Sequence, residues 1–230
     1  MSKITLEPNA SGAGTFSIVS PDSNTNRTLN LPDEAGTVLT NVSDIPVSNI
    51  TGQIASLNMP AESVIQVVHN VDNSRRLFSG IPSNSWQSSY NNLDTTITPI
   101  FSNSKLLVIY SIHYGACRGD GSLTGSVFIR ATRNGSEDAE LNGGDGTSGY
   151  RCFSQFRSFN DVQRFHMNQG VLYRIIEPQT TNSLTFGMDF RLQNGGRFSI
   201  NRDPAPSSDS SRGDHSPTGI STITLMELRQ

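Results

Sequence analysis

Leu106–Gly115, LLVIYSIHYG, decides the fold. Leu106, Val108, Tyr110, Ile112 and Tyr114 alternate on one face of an extended chain, and Leu107 and Ile109 make the opposite face apolar as well. A strand apolar on both faces is a central one. Working outward, Ser122–Thr132 reads as a strand through Val127 and Ile129, and Asn134-Gly135 after it is a two-residue hairpin signal. Val64–His69 and Leu93–Ile100 read as earlier strands. Leu184, Phe186, Met188, Phe190 and Leu192 alternate with Thr185, Gly187, Asp189 and Arg191, which predicts a half-buried strand. Asn194-Gly195-Gly196 and then Arg197–Asn201 read as its hairpin. The last strand, Gly219–Leu228, is apolar on parts of both faces through Ile220, Ile223, Leu225, Met226 and Leu228, which places it in the interior or at a subunit interface.

Phe153, Phe156, Phe159, Val162 and Phe165 recur every three residues. The spacing predicts two strands around a turn at Asn160-Asp161, with a short helix over Asn160–Gln169 as the alternative. Strands without helical crossovers indicate an all-β chain whose main domain is an antiparallel, jelly-roll-like β-sandwich.

Composition agrees. Only 34% of the 230 residues are hydrophobic and 16% charged, as in a turn-rich β protein. A net charge of -3 gives no basic field for nucleic acid. No apolar run approaches the ~18 residues of a membrane span, so the expectation is a soluble, unexported chain without membrane insertion. Cys117 and Cys152 make no disulfide framework; they are expected to be reduced core thiols. His69, His113, His166 and His215 show no metal-ligand spacing, and no cofactor is expected.

The N-terminal part differs. Ile4–Leu6, Thr15–Val19, Arg27–Leu31 and Thr37–Thr40 are short strands with about two apolar positions each, separated by turns. Such thin strands bury too little to stand alone. They must pack on symmetry mates or fold back on the larger domain. Residues 41–60 carry Val42, Ile45, Val47, Ile50, Ile54 and Leu57 at irregular spacing and read as a packed connector interrupted by Pro46, Gly52 and Pro60. The expected organisation is an attachment segment, 1–40, a connector, 41–60, and a head, 61–230.

Within the first part, Arg27–Thr40, RTLNLPDEAGTVLT, joins a Thr-Leu-x-Leu-Pro strand to a Gly-Thr-x-Leu strand. This order resembles a segment near the N-terminus of tail-fibre and other virion surface proteins of tailed bacteriophages. The resemblance implies a homotrimer whose Arg27, Leu29, Leu31, Pro32, Gly36, Val38 and Leu39 attach to another virion structural protein. It further implies a non-enzymatic head that meets a host cell-surface glycan or protein. A capsid-surface fibre or decoration protein, and a purely structural tail or collar component, remain open alternatives.

Host contact calls for exposed rings beside hydrogen-bonding groups. Trp86 and Tyr90 in the apparent loop SNSWQSSYNN, and Tyr150 beside Arg151, have that composition, although each could instead anchor a core. Asp203–Gly219 is a long polar loop carrying Asp209, Arg212 and His215, and with Arg202 it is the first candidate for a contact surface. Arg118-Gly119-Asp120 and Arg212-Gly213-Asp214 read as turn chemistry. Arg151, Arg157, Arg164, Arg174, Arg191, Arg197 and Arg202 could meet glycan carboxylates or phosphates, or form intersubunit salt bridges. Glu137, Asp138, Glu140 and Asp145 could supply the carboxylate pair of a small glycan hydrolase. A solvated loop face is the expectation instead.

Overall fold

The computed structural model describes residues 10–15, 17, 19, 22–28, 54–88, 91–117, 126–143, 151–157, 167–205 and 218–230. The chain divides into two compact units, Met1–Gly52 and Gln53–Gln230. In the first unit the described residues are exposed and form turns and irregular chain. Arg27 is among them. Leu29, Leu31, Pro32, Gly36, Val38 and Leu39 lie outside the described residues.

The second unit opens with one turn of 3-10 helix, Ser56–Asn58, and continues as strands. These are β1 (Val64–Asp72), β2 (Arg76–Ile81), β3 (Trp86–Gln87), β4 (Thr95–Ile97), β5 (Lys105–Cys117) and β6 (Ser126–Arg133). Then come β7 (Ser136–Glu137), β8 (Ser154–Arg157), β9 (Asn168–Ile176), β10 (Leu184–Leu192), β11 (Gly196–Ile200) and β12 (Ser221–Leu228). One sheet runs β1-β12-β5-β11-β2 with β9 also on β5; the other runs β3-β10-β6-β7 with β4 on β10 and β8 on β6. Every ladder between them is antiparallel. The protein is an all-β antiparallel sandwich, as the alternation predicts.

β5 is the centre of its sheet. β9 pairs along Leu106–Tyr114 on one edge, while β12 along Lys105–Ser111 and β11 along Tyr114–Cys117 take the other. Its inward row is fully buried against Phe186, Met188, Phe190 and Leu192 of β10 and Val127, Ile129 and Ala131 of β6. Ring contacts and a hydrogen bond tie the sheets directly. Phe190 and Phe198 stack at 3.8 Å between centroids, with Phe78 tilted 5.4 Å from Phe190, and the Tyr110 hydroxyl donates to the Gly187 carbonyl at 3.0 Å. β12 lies between β1 and β5, hence in the interior of its sheet.

Asn134 and Gly135 both have positive φ, 52° and 75°, the requirement of a type I′ hairpin, and they join β6 to β7. Three expectations need correction. β10 is not half-buried: its outward positions Gly187, Asp189 and Arg191 are buried too. Nor are β10 and Arg197–Asn201 a hairpin, because β11 belongs to the opposite sheet. Gly195 and Gly196, at φ 69° and 121°, turn the chain over the rim, and a Cβ at Gly195 would stand 2.7 Å from the Ile81 carbonyl oxygen. The strand expected over Leu93–Ile100 shrinks to Thr95–Ile97, because the N–H groups of Ile100 and Phe101 donate instead to the buried Glu227 carboxylate. In the phenylalanine run, β8 is a strand and β9 begins at Asn168, so the helical alternative fails at its C-terminal end; residues 158–166 lie outside the described residues.

Phe198→Ala should lower unfolding free energy by about 3–5 kcal/mol, whereas Leu57→Ala, at an exposed position, should stay within about 0.5 kcal/mol. Urea unfolding of both variants checks the assignment of core and surface.

Candidate functional site

Two regions of the second unit can carry function. The first is the outer face of the β10–β6 sheet. Gly187 pairs with Thr132, Asp189 with Arg130 and Arg191 with Phe128, all directed away from the sandwich core. Such positions are ordinarily solvated, yet Asp189 and Arg191 are each only 2% exposed. Arg130 explains the first: Nε and Nη2 both donate to Asp189 Oδ2, at 2.9 and 2.7 Å, and Nη1 donates to Glu137 Oε2 at 2.9 Å. The same guanidinium lies 4.3 Å from the Trp86 ring centroid. Arg191 donates to Asn84 Oδ1 and lies over the Phe128 ring.

A second arginine organises the hairpin. Arg133 donates to Asp138 Oδ2 and Glu140 Oε2, both at 2.6 Å, while Asp138 Oδ1 accepts the N–H groups of Glu140 and Leu141. Asn142 completes the edge of β6 by bonding both the N–H and the carbonyl of Ala131. Asp94 stands against Gly187, where a Cβ would displace its carboxylate and stand 3.2 Å from Thr132 Oγ1. Burial, and then the Asp189 charge, holds the Asp94 carboxyl above its ordinary range. Burial does the same, more strongly, to the Tyr110 hydroxyl beneath, with Asp138 and Asp94 adding to it.

The second region is one end of the sandwich. Around His113–Cys117 of β5 stand the described flanks of 118–125, 158–166 and 206–217. Asn168 pairs with Tyr114, Cys117 Sγ donates to the Pro204 carbonyl at 3.3 Å, and Gly219 packs against the His113 and Met167 side chains. Ser126 faces Arg157 across β6 and β8, and Tyr114 Oη meets Ser154 Oγ at 2.9 Å. The other end holds the entry of the chain. Val64 and Lys105 both pair with Leu228, and Glu62 N–H donates to the Arg229 carbonyl at 2.6 Å. β5 separates the two ends by about 40 Å at ~3.3 Å per residue.

The sequence-predicted contacts fall unevenly on this frame. Trp86 lies not in a loop but in β3, half-buried under Arg130. Arg202 is a stem residue: its guanidinium donates to the carbonyls of Asp203 and Ala205, and it bridges to Thr218. Arg151 is half-buried. Tyr90, Tyr150, Asp209, Arg212, His215 and both Arg-Gly-Asp tripeptides lie outside the described residues, as do Arg164, Asp145 and His166. The acidic group is not a solvated face throughout, because Asp138 is buried and ion-paired. Cys117 is buried, but Cys152 is half-buried rather than a core thiol. Among the described residues no group of three His, Cys, Asp or Glu is placed to hold a metal. Sequence reading missed Arg130, Arg133, Asp189 and Asp94. The available signal was Gly187, since a glycine inside a strand marks a close approach.

No protein-family model and no curated protein matches the chain. Among solved structures, the VP2 subviral particle of infectious bursal disease virus aligns at 12% identity and a TM-score of 0.33, over 78% of this chain and 46% of that one. An aspartate-to-asparagine mutant of VP2 in T=1 particles aligns at 13% and 0.31, over 78% and 45%. The chain spans less than half the length of these proteins, and similarity at this level assigns neither family nor function.

Arg130→Ala strands the buried Asp189 carboxylate and should cost about 3–5 kcal/mol, against at most about 1 kcal/mol for Glu137→Gln at the exposed end of the same network. Denaturant midpoints of the two variants test this. Because the folded carboxyl of Asp94 titrates above the unfolded value of 3.8, its contribution to stability is present below that pH and is lost as pH rises through the folded value. Asp94→Asn should therefore gain thermal midpoint relative to wild type at about pH 7 and little at about pH 3.

Proposed function

We propose that this chain is a structural virion protein, a short tail fibre whose N-terminal segment joins the particle and whose head meets the host surface. The observation that carries the reading is the polarity of the head. The chain enters beside Val64 and Leu228 at one end of β5, and the stems of three connecting segments gather around His113–Cys117 at the other. Loops on a rigid scaffold are where binding residues concentrate. The resemblance of Arg27–Thr40 to phage fibre segments supports attachment through the opposite part of the chain, with Arg27, Leu29, Leu31, Pro32, Gly36, Val38 and Leu39 as the contacts.

In this reading the protein is a non-enzymatic homotrimer and the partner at the far end is a host cell-surface glycan. Asp209, Arg212 and His215 on the segment between β11 and β12 contribute the contacts, with Tyr150 and Arg151. Arginine's planar fork suits the carboxylates and phosphates that bacterial surface glycans carry. Three weak sites on one head gain about 10² to 10⁴ by avidity, so modest individual contacts suffice. The carboxylates Glu137, Asp138 and Glu140 are each engaged by arginine, which favours a structural over a hydrolytic role for them.

Antibody labelling of intact particles tests the reading. Label at the tail with blocked adsorption is expected; label spread over the capsid with normal adsorption would make the protein a decoration component instead. Deleting residues 1–40 should leave a soluble, folded head that no longer joins particles, as followed by circular dichroism and particle composition.

A further inference from the structure

The two outer faces of the sandwich differ in kind. The β10–β6 face is charged and locked by arginines, as described above. The outer face of the other sheet is apolar. Its register sets Ile175, Leu107, Met226 and Val67 in one row across β9, β5, β12 and β1. The next row is Tyr173, Ile109, Thr224 and His69, and the third is Val171, Ser111, Thr222 and Val71. The most exposed members stand at the two margins, with Tyr173 at 74% on β9 and Val67 at 54% on β1. Between them Leu107, Ile109 and Met226 are half-buried.

We infer that this face is the surface on which copies of the chain assemble, with the β9 margin of one copy against the β1 margin of the next. Three observations favour a second copy as the occupant. Size is the first. Four strands at ~4.8 Å spacing and five residues at ~3.3 Å give a flat footprint of roughly 320 Å² before side-chain relief is counted. A patch of this size falls in the ~300–600 Å² range of the largest, often functional, patch on a monomer, and side-chain relief raises its accessible area towards the ~800 Å² each partner contributes to a stable interface.

Charge is the second. None of the three rows holds a carboxylate, lysine or arginine, and at the rim Lys105 lies 3.8 Å from Glu177. A charged partner would find no counter-ion here, whereas the same face on another copy is an uncharged match. The third is polar bookkeeping. His69 Nδ1 meets Thr224 Oγ1 at 2.6 Å, the Gln169 amide donates to Ser111 Oγ at 2.9 Å, and His113 Nδ1 lies 2.8 Å from the Ile220 carbonyl oxygen. Covering the face therefore leaves these groups bonded. Placing the exposed strips on opposite margins suits a closed ring better than a two-fold pair, since each copy offers one margin to each neighbour. The copy number of three rests on the proposed homotrimer; the face does not.

Sedimentation of the full-length chain tests the inference. Wild type should sediment as a closed oligomer, and Tyr173→Asp or Val67→Asp should weaken association about 30-fold or more, with an unchanged circular dichroism spectrum. Val67→Cys with Tyr173→Cys in one chain should give a disulfide-linked ladder under oxidation, and neither substitution alone should. A monomeric wild type, or an oligomer that persists in both Asp variants, would overturn the assembly face. Either result leaves the location of the protein on the particle to antibody labelling, so the two readings fail separately.

Discussion

The second unit depends on β5 being hydrogen-bonded along both edges for nearly its whole length. A strand of thirteen residues with an unpaired edge would leave a long row of N–H and carbonyl groups open to another chain. β9 covers one edge, and β12 with β11 covers the other. That requirement fixes the sheet order, because the last strand of the chain must return to lie between β1 and β5. It also fixes the core. Once both edges are occupied, the inward row from Leu106 to Tyr114 can be buried only by a second sheet, and β10 and β6 supply it.

A sandwich closed in this way has two outer faces, and the sequence treats them differently. On β10 the outward positions carry Asp189 and Arg191, two charges that are costly to bury without partners. Arg130 supplies the partner for Asp189 and in turn lies over the Trp86 ring, and the resulting network is internal to one chain. Arg191, one of the arginines suited on composition to glycans or to neighbouring subunits, is also engaged on this face, by Asn84 and the Phe128 ring. On β9 and β1 the outward positions carry valine, isoleucine and tyrosine, with His69 bonded to Thr224, and the apolar ones are exposed. The asymmetry argues that only one face is finished by the fold of a single copy.

The periodic parts of this fold were legible because alternation over five or more residues has one physical solution. β5, β12, the β6–β7 hairpin with its Asn134-Gly135 turn and the span of β10 all follow from it. Alternation reports the side on which a residue points, not whether that side is covered. β10 was therefore read as half-buried, since nothing local to Asp189 shows that Arg130, some sixty positions earlier, will lie over it. The misread hairpin has a similar origin. Asn194-Gly195-Gly196 supplies a turn in either case, and whether the chain returns to the same sheet or crosses the rim depends on the distant Ile81 and Ser83 backbone that crowds Gly195. Trp86 looked like a loop residue because a two-residue strand has no period to detect.

The proposed contact residues were legible only as composition, and the frame explains why. A contact surface formed where several connections meet has no sequence signature of its own: 118–125, 158–166 and 206–217 are far apart in the chain. What brings their stems together is the antiparallel pairing of β5 with β9 and β11, which sets Tyr114 beside Asn168 and Cys117 beside Arg197. Arg202 belongs to one of these stems. Its guanidinium bonds the carbonyls of Asp203 and Ala205 and so shapes the stem. A scaffold of this kind tolerates changes in its loops as long as the stems hold, and that freedom is what a surface facing a variable partner requires.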